Sequence, residues 1–261
     1  MNSYETLELN QLGEVLQIFL NRPSKLNALN QKMMDELALC LNHAITDNSL
    51  RGILLSGMGD KAFAAGADIV EFQHMNPSEA KKMSRKGHEE VFNCIENFPK
   101  PILAAINGYA LGGGLELAMA CHLRFASTNA KLGLPELSLG LIPGYGGTQR
   151  LSKLVGKGKA MELILSGIQL DADEAQRLGL VNQVYLQEHL ISQSLKWLST
   201  TIKKSKFALA AAIKAINASD NELGNGFEIE IDEFSSLFKQ SDLKEGISAF
   251  LEKREANFIG K

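Results

Sequence analysis

The sequence has few cysteines, and their spacing predicts neither a disulfide framework nor a zinc site. Cys40, Cys94 and Cys121 are odd in number, and none of them belongs to a CxxC pair. Unpaired thiols are typical of proteins in a reducing compartment. The first residues also lack a basic segment followed by an apolar run, the pattern of a secretory signal. We therefore expect a cytoplasmic protein.

An excess of charge of one sign is lacking as well. The sequence contains 27 lysines and arginines against 30 acidic residues, for a net charge of −3. This balance provides no general basic surface of the kind that binds nucleic acid. Local basic spots exist at Lys81-Lys82, Arg85-Lys86 and Lys203-Lys204, and we interpret them as solvated faces of helices.

The common catalytic motifs are missing. The sequence contains no GxxxxGK[ST] phosphate loop, no GxGxxG fingerprint, no GxSxG elbow and no HExxH pair. Nucleotide hydrolysis on a phosphate loop, dinucleotide-dependent redox chemistry, serine hydrolysis of the α/β-hydrolase type and zinc proteolysis are therefore not indicated. The five histidines are not spaced as metal ligands, so we expect no metal site.

One hydrophobic run is long enough to cross a bilayer. Residues 101–121 read PILAAINGYALGGGLELAMAC, but Asn107, Glu116 and a cluster of glycines interrupt the run. The pattern favours a buried strand, a glycine turn and a buried helix that begins near Gly113. We expect no membrane span here.

Strands and helices alternate in the first part of the chain. Asn30 is a helix cap that precedes apolar residues at helical spacing. The predicted strands are Tyr4–Asn10 and Val15–Asn21, which form a hairpin, and Arg51–Ser56, Pro101–Ile106 and Leu123–Ala126. Ser78 is expected to open another helix. This alternation predicts an α/β fold.

Beyond Tyr185 the pattern is entirely helical. The predicted helices are Glu188–Lys203, Lys206–Ala218, Glu222–Phe238 and Leu243–Arg254. Their amphipathic faces must pack on the first part of the chain or on a partner subunit. We therefore expect two regions, a core with the active site in residues 1–185 and a helical region for oligomerisation in residues 186–261.

Three glycine-rich turns are candidates for binding a ligand through the backbone. They are Ala64–Asp68, Gly112–Glu116 and Pro143–Gly147. Small residues allow a ligand to approach the main chain, and the first amides of a helix have no acceptor within the helix. The helix dipole favours negative charge at the same end. Two such turns facing each other would form an oxyanion hole.

Two glutamates lie near these turns among apolar neighbours. Glu116 follows the glycines within LELAMA, and Glu136 lies in GLPEL. Burial raises the pKa of a carboxyl group, and a raised pKa suits general acid–base catalysis near neutral pH. Taken singly, each residue could instead be a capping or ion-paired glutamate.

Several longer motifs occur together in one order, and in this the chain resembles the crotonase superfamily, which includes the enoyl-CoA hydratases. The resemblance extends from about Val15 to Phe258. Its motifs are LNRP at 20–23, KAFAAGADI at 61–69, NGYALGGG at 107–114, PE at 135–136, IPGYGGTQRL at 142–151 and EGISAFLEKR at 245–254.

The resemblance implies a role for each matched residue. Ala67 and Gly113 would donate the oxyanion-hole amides, and Glu116 and Glu136 would be the acid–base pair. The implied CoA-binding residues are Lys25, Leu26, Ala65, Gly66, Asp68, Ile69 and Gly144, with Phe250 and Lys253 reaching the CoA of a neighbouring subunit. The implied fold is a spiral of ββα units with a helical C-terminal trimerisation region, assembled as a homotrimer or homohexamer.

The implied reaction is the reversible addition of water to a 2-enoyl-CoA, giving a 3-hydroxyacyl-CoA. It requires no metal and no cofactor besides the CoA of the substrate. An enoyl-CoA isomerase or another crotonase-type lyase is the alternative, and an RNA-binding protein on the same fold is a remote one. The sequence leaves the acyl chain length and the pathway open. Tyr145 would either limit the acyl chain or pack within its turn.

Overall fold

The computed structural model describes residues 4–220 and 224–260. The strands are β1 Leu7–Leu12, β2 Val15–Leu20, β3 Gly52–Gly57, β4 Ala62–Ala65, β5 Ile102–Ile106, β6 Tyr109–Leu111, β7 Leu123–Ser127, β8 Lys131–Gly133, β9 Leu170–Asp171 and β10 Gln183–Tyr185. The α-helices are α1 Gln31–Thr46, α2 Pro77–Gly87, α3 Asn93–Glu96, α4 Gly113–Ala120, α5 Gly147–Val155, α6 Lys157–Ser166, α7 Ala172–Arg177, α8 Gln187–Thr201, α9 Lys206–Asn217, α10 Gly226–Ser236 and α11 Ser241–Glu252.

The strands form two sheets. The larger sheet has the order β1-β2-β3-β5-β7-β10, and the smaller has the order β4-β6-β8-β9. The larger sheet is parallel except for the β1–β2 hairpin, and the smaller is parallel except for β8–β9. Three successive turns of the chain place one strand in the large sheet (β3, β5, β7), the next in the small sheet (β4, β6, β8), and then a helix, whereas β1 and β2 both lie in the large sheet. The predicted α/β fold of ββα units is confirmed.

Apolar side chains cover both faces of the large sheet. One cluster packs α1, the π-helical segment His88–Phe92 and α4 against the sheets and includes Phe63, Phe92 and Phe98. On the other face, Leu190 and Leu198 of α8 pack with Leu54, Leu103 and Phe125. Since α8 completes this second cluster, the first helix beyond residue 185 is part of the core of the sheet. The separate oligomerisation role of residues 186–261 stays a prediction.

The predicted elements are present, but several boundaries differ. The first strand begins at Leu7 instead of Tyr4, because the amides of Glu5 and Thr6 donate to the carboxylate of Glu36. Strand β5 begins after Pro101, which has no amide hydrogen to donate. Helix α2 begins one residue before Ser78, with Asn76 as its cap in a capping box.

The C-terminal helices also differ in extent. Helix α8 ends at Thr201 instead of Lys203. The helix predicted from Glu222 begins at Gly226 and ends in a 3-10 turn over Leu237–Lys239, and Glu222 itself lies outside the described residues. Helix α11 ends before Lys253, whose φ of 56° is left-handed. No helix within the described ranges is long and apolar enough to cross a membrane.

Candidate active site

Three neighbouring strands of the small sheet end at the same place. Strand β4 leads into Gly66-Ala67, β6 into Gly112-Gly113, and β8 into the segment that carries Glu136. Because these strands are parallel, their carboxyl ends meet at one edge of the sheet. The sheet therefore brings two of the predicted glycine turns and one of the predicted acids together.

Helix α4 starts directly at this edge. Gly112 adopts φ 49° and ψ −127°, a conformation that only glycine adopts readily. A Cβ atom on Gly114 would lie 2.0 Å from the carbonyl oxygen of Ala64, so glycine at this position lets α4 approach β4 closely. Both glycines fix the start of α4 beside the turn that follows β4.

The amides of Ala67 and Gly113 are adjacent, and both lack an acceptor within the described chain. On either side of Ala67, the Gly66 carbonyl accepts from the Leu29 amide at 2.9 Å and the Asp68 amide donates to Leu29 at 2.8 Å. The Ala67 amide itself donates no hydrogen bond within the described chain, and the Gly113 amide opens α4 without an acceptor there. A Cβ atom on Gly113 would lie 3.5 Å from the Ala67 nitrogen. This pair can hold one carbonyl oxygen.

Glu116 lies one turn into α4 and is held by the turn at 143–147. Its Oε1 accepts hydrogen bonds from the Tyr145 amide at 2.8 Å and the Gly147 amide at 2.7 Å. The side chain is 1% exposed. Burial raises the pKa of Glu116 to about 7, against the opposing effect of the two amides. A carboxyl group with this pKa can gain or lose a proton at neutral pH.

Glu136 is held less firmly. It begins a 3-10 helix over Glu136–Leu139, and its Oε2 is buried without a hydrogen-bond partner among the described residues. Its Oε1 lies 3.0 Å from the position that a Cβ atom on Gly112 would occupy. Burial raises the pKa of Glu136. An unpaired buried oxygen favours the protonated carboxyl group and leaves it able to bind a substrate.

Both acids face one cavity of about 420 Å³, a volume within the usual range for small-molecule sites. Both oxyanion candidates, Ala67 and Gly113, also line it. Its apolar walls come from the segment after β4, from α2 and from the loop after Glu136, and include Ile69, Phe72, Met75, Ala80, Met83, Leu139, Leu141, Ile142 and Tyr145. An apolar cavity with two acids and two free amides suits a carbonyl compound with an apolar chain.

The predicted CoA-binding residues divide into two groups. Ala65, Gly66, Ile69 and Gly144 line the cavity. The other predicted CoA-binding residues of the region 1–185, namely Lys25, Leu26 and Asp68, do not. Leu26 borders this region through its carbonyl, which accepts from the Ala65 amide at 3.0 Å, and Lys25 precedes it in an exposed 3-10 turn. The Asp68 carboxylate is instead paired with Arg22 at 2.9 Å. This pair braces the turn at 22–27 against the segment after β4.

Phe250 and Lys253 lie at the end of α11 and do not line the cavity. The Phe250 side chain is 84% exposed. Their predicted contact with a neighbouring subunit's CoA stays a prediction.

The role of Arg150 in the site was not predicted from the sequence, whereas two alternatives were predicted for Tyr145. Arg150 is buried, and its guanidinium donates to the Tyr145 carbonyl at 2.9 Å and to the Glu96 carboxylate at 2.7 Å. It thereby braces the turn whose amides hold Glu116. The Tyr145 ring stacks on Phe92 with centroids 4.8 Å apart and also faces the cavity. Both predicted alternatives for Tyr145, cavity wall and packed turn residue, therefore describe part of its position.

Two of the four basic side chains on α2 lie beside acidic neighbours. Lys86 pairs with Asp35 at 2.6 Å, and Arg85 lies 3.7 Å from Glu89. These pairs agree with the interpretation of this face as a solvated helix surface.

Comparison with known proteins identifies the family. The family model for enoyl-CoA hydratase/isomerase matches residues 10–261. The crotonyl-CoA hydratase of Syntrophomonas wolfei is 41% identical over 260 residues, covering 99% of this chain and 100% of that protein. The short-chain-enoyl-CoA hydratase of Clostridium acetobutylicum is 39% identical over 255 residues, covering 95% and 97% of the two chains.

A solved structure agrees with these matches. The enoyl-CoA hydratase of Bacillus anthracis superposes with a TM-score of 0.92 at 35% identity, covering 98% of this chain and 100% of that one. The family model, the sequence relatives and the superposed structure each extend over almost the whole chain, and the chain therefore belongs to the enoyl-CoA hydratase/isomerase family.

Proposed function

We propose that the chain is an enoyl-CoA hydratase, which adds water reversibly to the double bond of a 2-enoyl-CoA to give a 3-hydroxyacyl-CoA. The observation that carries this proposal is the placement of two carboxyl groups, Glu116 and Glu136, in one cavity beside two free backbone amides. The names of the relatives from Syntrophomonas wolfei and Clostridium acetobutylicum support the same activity.

The free amides of Ala67 and Gly113 would bind the thioester oxygen. Attack at C3 of the enoyl chain moves negative charge onto this oxygen, so two donors placed there stabilise the enolate-like transition state. By analogy with oxyanion holes in acyl transfer, each donor contributes about 10²–10³ to the rate.

Glu116 would be the base for the attacking water. Its Oε1 is held by two amides, and its Oε2 accepts no hydrogen bond from the described chain, which leaves that oxygen for water. Glu116 takes a proton from water as the oxygen bonds to C3. Glu136 donates its proton to C2 as the enolate collapses. The overall reaction consumes one water and leaves the proton count of the pair unchanged.

The pair must hold one proton between them for this cycle. Burial raises the pKa of both carboxyl groups, and the negative charge of Glu136 contributes to raising that of Glu116. Repulsion between two nearby carboxylates disfavours the doubly ionised state. The two amide donors favour the ionised form of Glu116, and the unpaired Oε2 favours the protonated form of Glu136. Both effects support Glu116 as the base and Glu136 as the acid.

The remaining features of the proposal concern the whole protein. The chain supplies acid, base and oxyanion donors, so the reaction needs no cofactor besides the CoA of its substrate. Exposed aromatic side chains on the C-terminal helices support a homotrimer or homohexamer, with Phe250 and Lys253 at a neighbour's CoA. The three free thiols at Cys40, Cys94 and Cys121 support a cytoplasmic location.

Steady-state kinetics on crotonyl-CoA and its longer 2-enoyl homologues test the activity. We expect loss of the conjugated thioester absorbance with formation of 3-hydroxyacyl-CoA. Turnover of 3-enoyl-CoA to 2-enoyl-CoA without water uptake would instead show the isomerase. Salt-dependent retardation of RNA, with no turnover of either thioester, would contradict the enzymatic proposal.

A further inference from the structure

The cavity that holds the two acids has a second, smaller cavity behind one of its walls. The smaller cavity has a volume of about 10 Å³ and is lined by Met34, Gly87 and Val91 on its apolar side. Charged and amide side chains also line it, namely Gln31, Asp35, Lys86 and Glu90. Met83 and Tyr145 line both cavities. These two side chains therefore separate the acyl cavity from the space behind it.

We call the wall formed by Met83 and Tyr145 the partition. Neighbouring side chains hold the Tyr145 ring firmly in place within it. It stacks on Phe92 at an interplanar angle of 12° and meets His88 edge-on. A Cβ atom on Gly87 would lie 2.4 Å from the ring, so the ring occupies the space that a larger residue at 87 would need. Such a ring cannot move aside without displacing α2 or the His88–Phe92 segment.

The ring also lies next to the reacting part of the site. Its Cδ2 lies 3.7 Å from the position of a Cβ atom on Gly113, whose amide is an oxyanion candidate. The backbone amide of Tyr145 is committed to Glu116. The main-chain amide of Tyr145 thus positions Glu116, while its side chain closes the cavity a short distance from the oxyanion candidate Gly113.

We propose that Tyr145, together with Met83, ends the acyl pocket and restricts the enzyme to short acyl chains. This inference rests on the proposed function and adds the substrate class to it. Without the phenol ring, the acyl cavity joins the space beside Met34, Gly87 and Val91. A longer chain could then extend between α1 and α2 towards the polar residues at the outer end of that space.

The variant Tyr145→Ala tests the partition, because it removes the ring and keeps the amide that holds Glu116. We expect the ratio of kcat/KM for 2-dodecenoyl-CoA to that for crotonyl-CoA to rise by at least about tenfold, since even single methylene groups in apolar pockets discriminate by that much. Tyr145→Phe retains the ring and should keep the wild-type ratio. Tyr185→Ala, in the cluster around Phe125, controls for the loss of a packed tyrosine elsewhere.

Binding of saturated thioesters provides a second readout that does not depend on turnover. Titration calorimetry should show dodecanoyl-CoA gaining affinity relative to butyryl-CoA in Tyr145→Ala and in Met83→Ala, but not in Tyr185→Ala. Met83→Ala decides the matter if Tyr145→Ala does not fold. The proposed partition is wrong if the wild-type enzyme turns over both chain lengths equally. It is also wrong if the long-chain to short-chain ratios are unchanged in both Tyr145→Ala and Met83→Ala. Either result would leave the hydratase proposal intact. Absence of turnover in the wild type would instead contradict the hydratase proposal, and the calorimetric ratios would still decide the partition.

Discussion

Glu116 and Glu136 face the same cavity, but the chain holds their carboxyl groups differently. One oxygen of Glu116 is fixed by two amides, while an oxygen of Glu136 has no partner within the described part of the chain. The first arrangement suits a base that keeps its position and the second an acid that completes its contacts with substrate. This difference is the reason why the proposed mechanism gives the two residues different steps.

Replacing either acid by glutamine should remove proton transfer while keeping the shape of the site. We expect Glu116→Gln and Glu136→Gln each to lower kcat by at least about 10²-fold, in the range measured for general acid–base groups. Turnover of crotonyl-CoA measures the effect, and circular dichroism verifies the fold. Glu162→Gln, on the exposed face of α6, is the matched control. A folded Glu116 or Glu136 variant with more than about half the wild-type rate would remove that residue from the mechanism.

The raised pKa of Glu116 also predicts how stability depends on pH. The folded protein holds this proton more tightly than the unfolded chain, because the pKa is raised from 4.5 to about 7. The contribution of the protonated Glu116 carboxyl group to the free energy of unfolding is fully present below pH 4.5. It is lost as the pH rises through 7. At about 1.4 kcal/mol per unit, the loss amounts to about 3 kcal/mol.

The variant Glu116→Gln lacks this titration. The free energy of unfolding of the variant minus that of the wild type should therefore be larger at pH 8 than at pH 5. Urea denaturation at each pH measures this difference. A stability difference that is the same at both pH values would show that Glu116 titrates alike in the folded and unfolded chains.

The placement of the acids and the amides at one cavity was predicted from the sequence because their surroundings are local. The glycines and the apolar neighbours of Glu116 and Glu136 lie within a few positions of each acid, and burial follows from them. Arg150 could not be recognised in the same way. Its partners at 96 and 145 come together only when α3 and the turn at 143–147 are packed, so its role depends on distant parts of the chain.

Among the elements, the turn at 143–147 depends on Arg150. The Tyr145 and Gly147 amides of this turn donate to Glu116. The buried guanidinium of Arg150 donates to the Tyr145 carbonyl, which lies in the chain between these two amides. The positive charge of Arg150 also lowers the pKa of Glu116. Removing the guanidinium should therefore loosen the turn and raise the pKa of the acid that it positions.

We expect Arg150→Met to lower kcat by about tenfold or more, because small displacements of a positioned group are costly. The acidic limb of the pH–rate profile should move to higher pH, and Arg150→Lys should restore part of both effects. Arg177→Met, an exposed arginine on α7 paired with Glu174, is the control. A loss of rate with an unmoved pH profile would assign Arg150 a purely structural role.

Element boundaries show where sequence patterns are insufficient. The long elements α1, β2 and α9 were predicted because their periodicity extends over several turns or residues. Strands β6, β8 and β10 have three residues each, too few to show alternation, and were missed. The small sheet, of which β4, β6 and β8 carry the candidate site at their carboxyl ends, is therefore the least predictable part of the fold.

At the scale of the whole molecule, the C-terminal helices expose large apolar side chains. Phe227 is 82% exposed and Phe250 is 84% exposed, and Phe234, Phe238 and Leu251 are also exposed. Aromatic surface of this extent is typical of an interface between subunits. We expect light scattering at micromolar concentration to give three or six times the chain mass of 28.5 kDa. A monomer would contradict both the assembly and the shared site.

If Lys253 reaches the CoA of a neighbouring subunit, its removal should weaken substrate binding. We expect Lys253→Met to raise KM by about tenfold with little change in kcat, the effect of losing a hydrogen bond to a charged group. Lys239→Met, in the 3-10 turn after α10, is the control. An unchanged KM in an assembled enzyme would place Lys253 outside the CoA site.

The position of α8 has a consequence for synthesis on the ribosome. Every residue of the cavity has been made once the turn at 143–147 is complete, yet Leu54, Leu103 and Phe125 remain uncovered until α8 follows. At ordinary rates of translation, the 55 residues that follow Gly147, up to Ile202, require roughly 3 to 11 seconds. During that interval the nascent chain exposes one whole apolar face of its large sheet, and a chain arrested near residue 185 would be a ready substrate for chaperones and proteases.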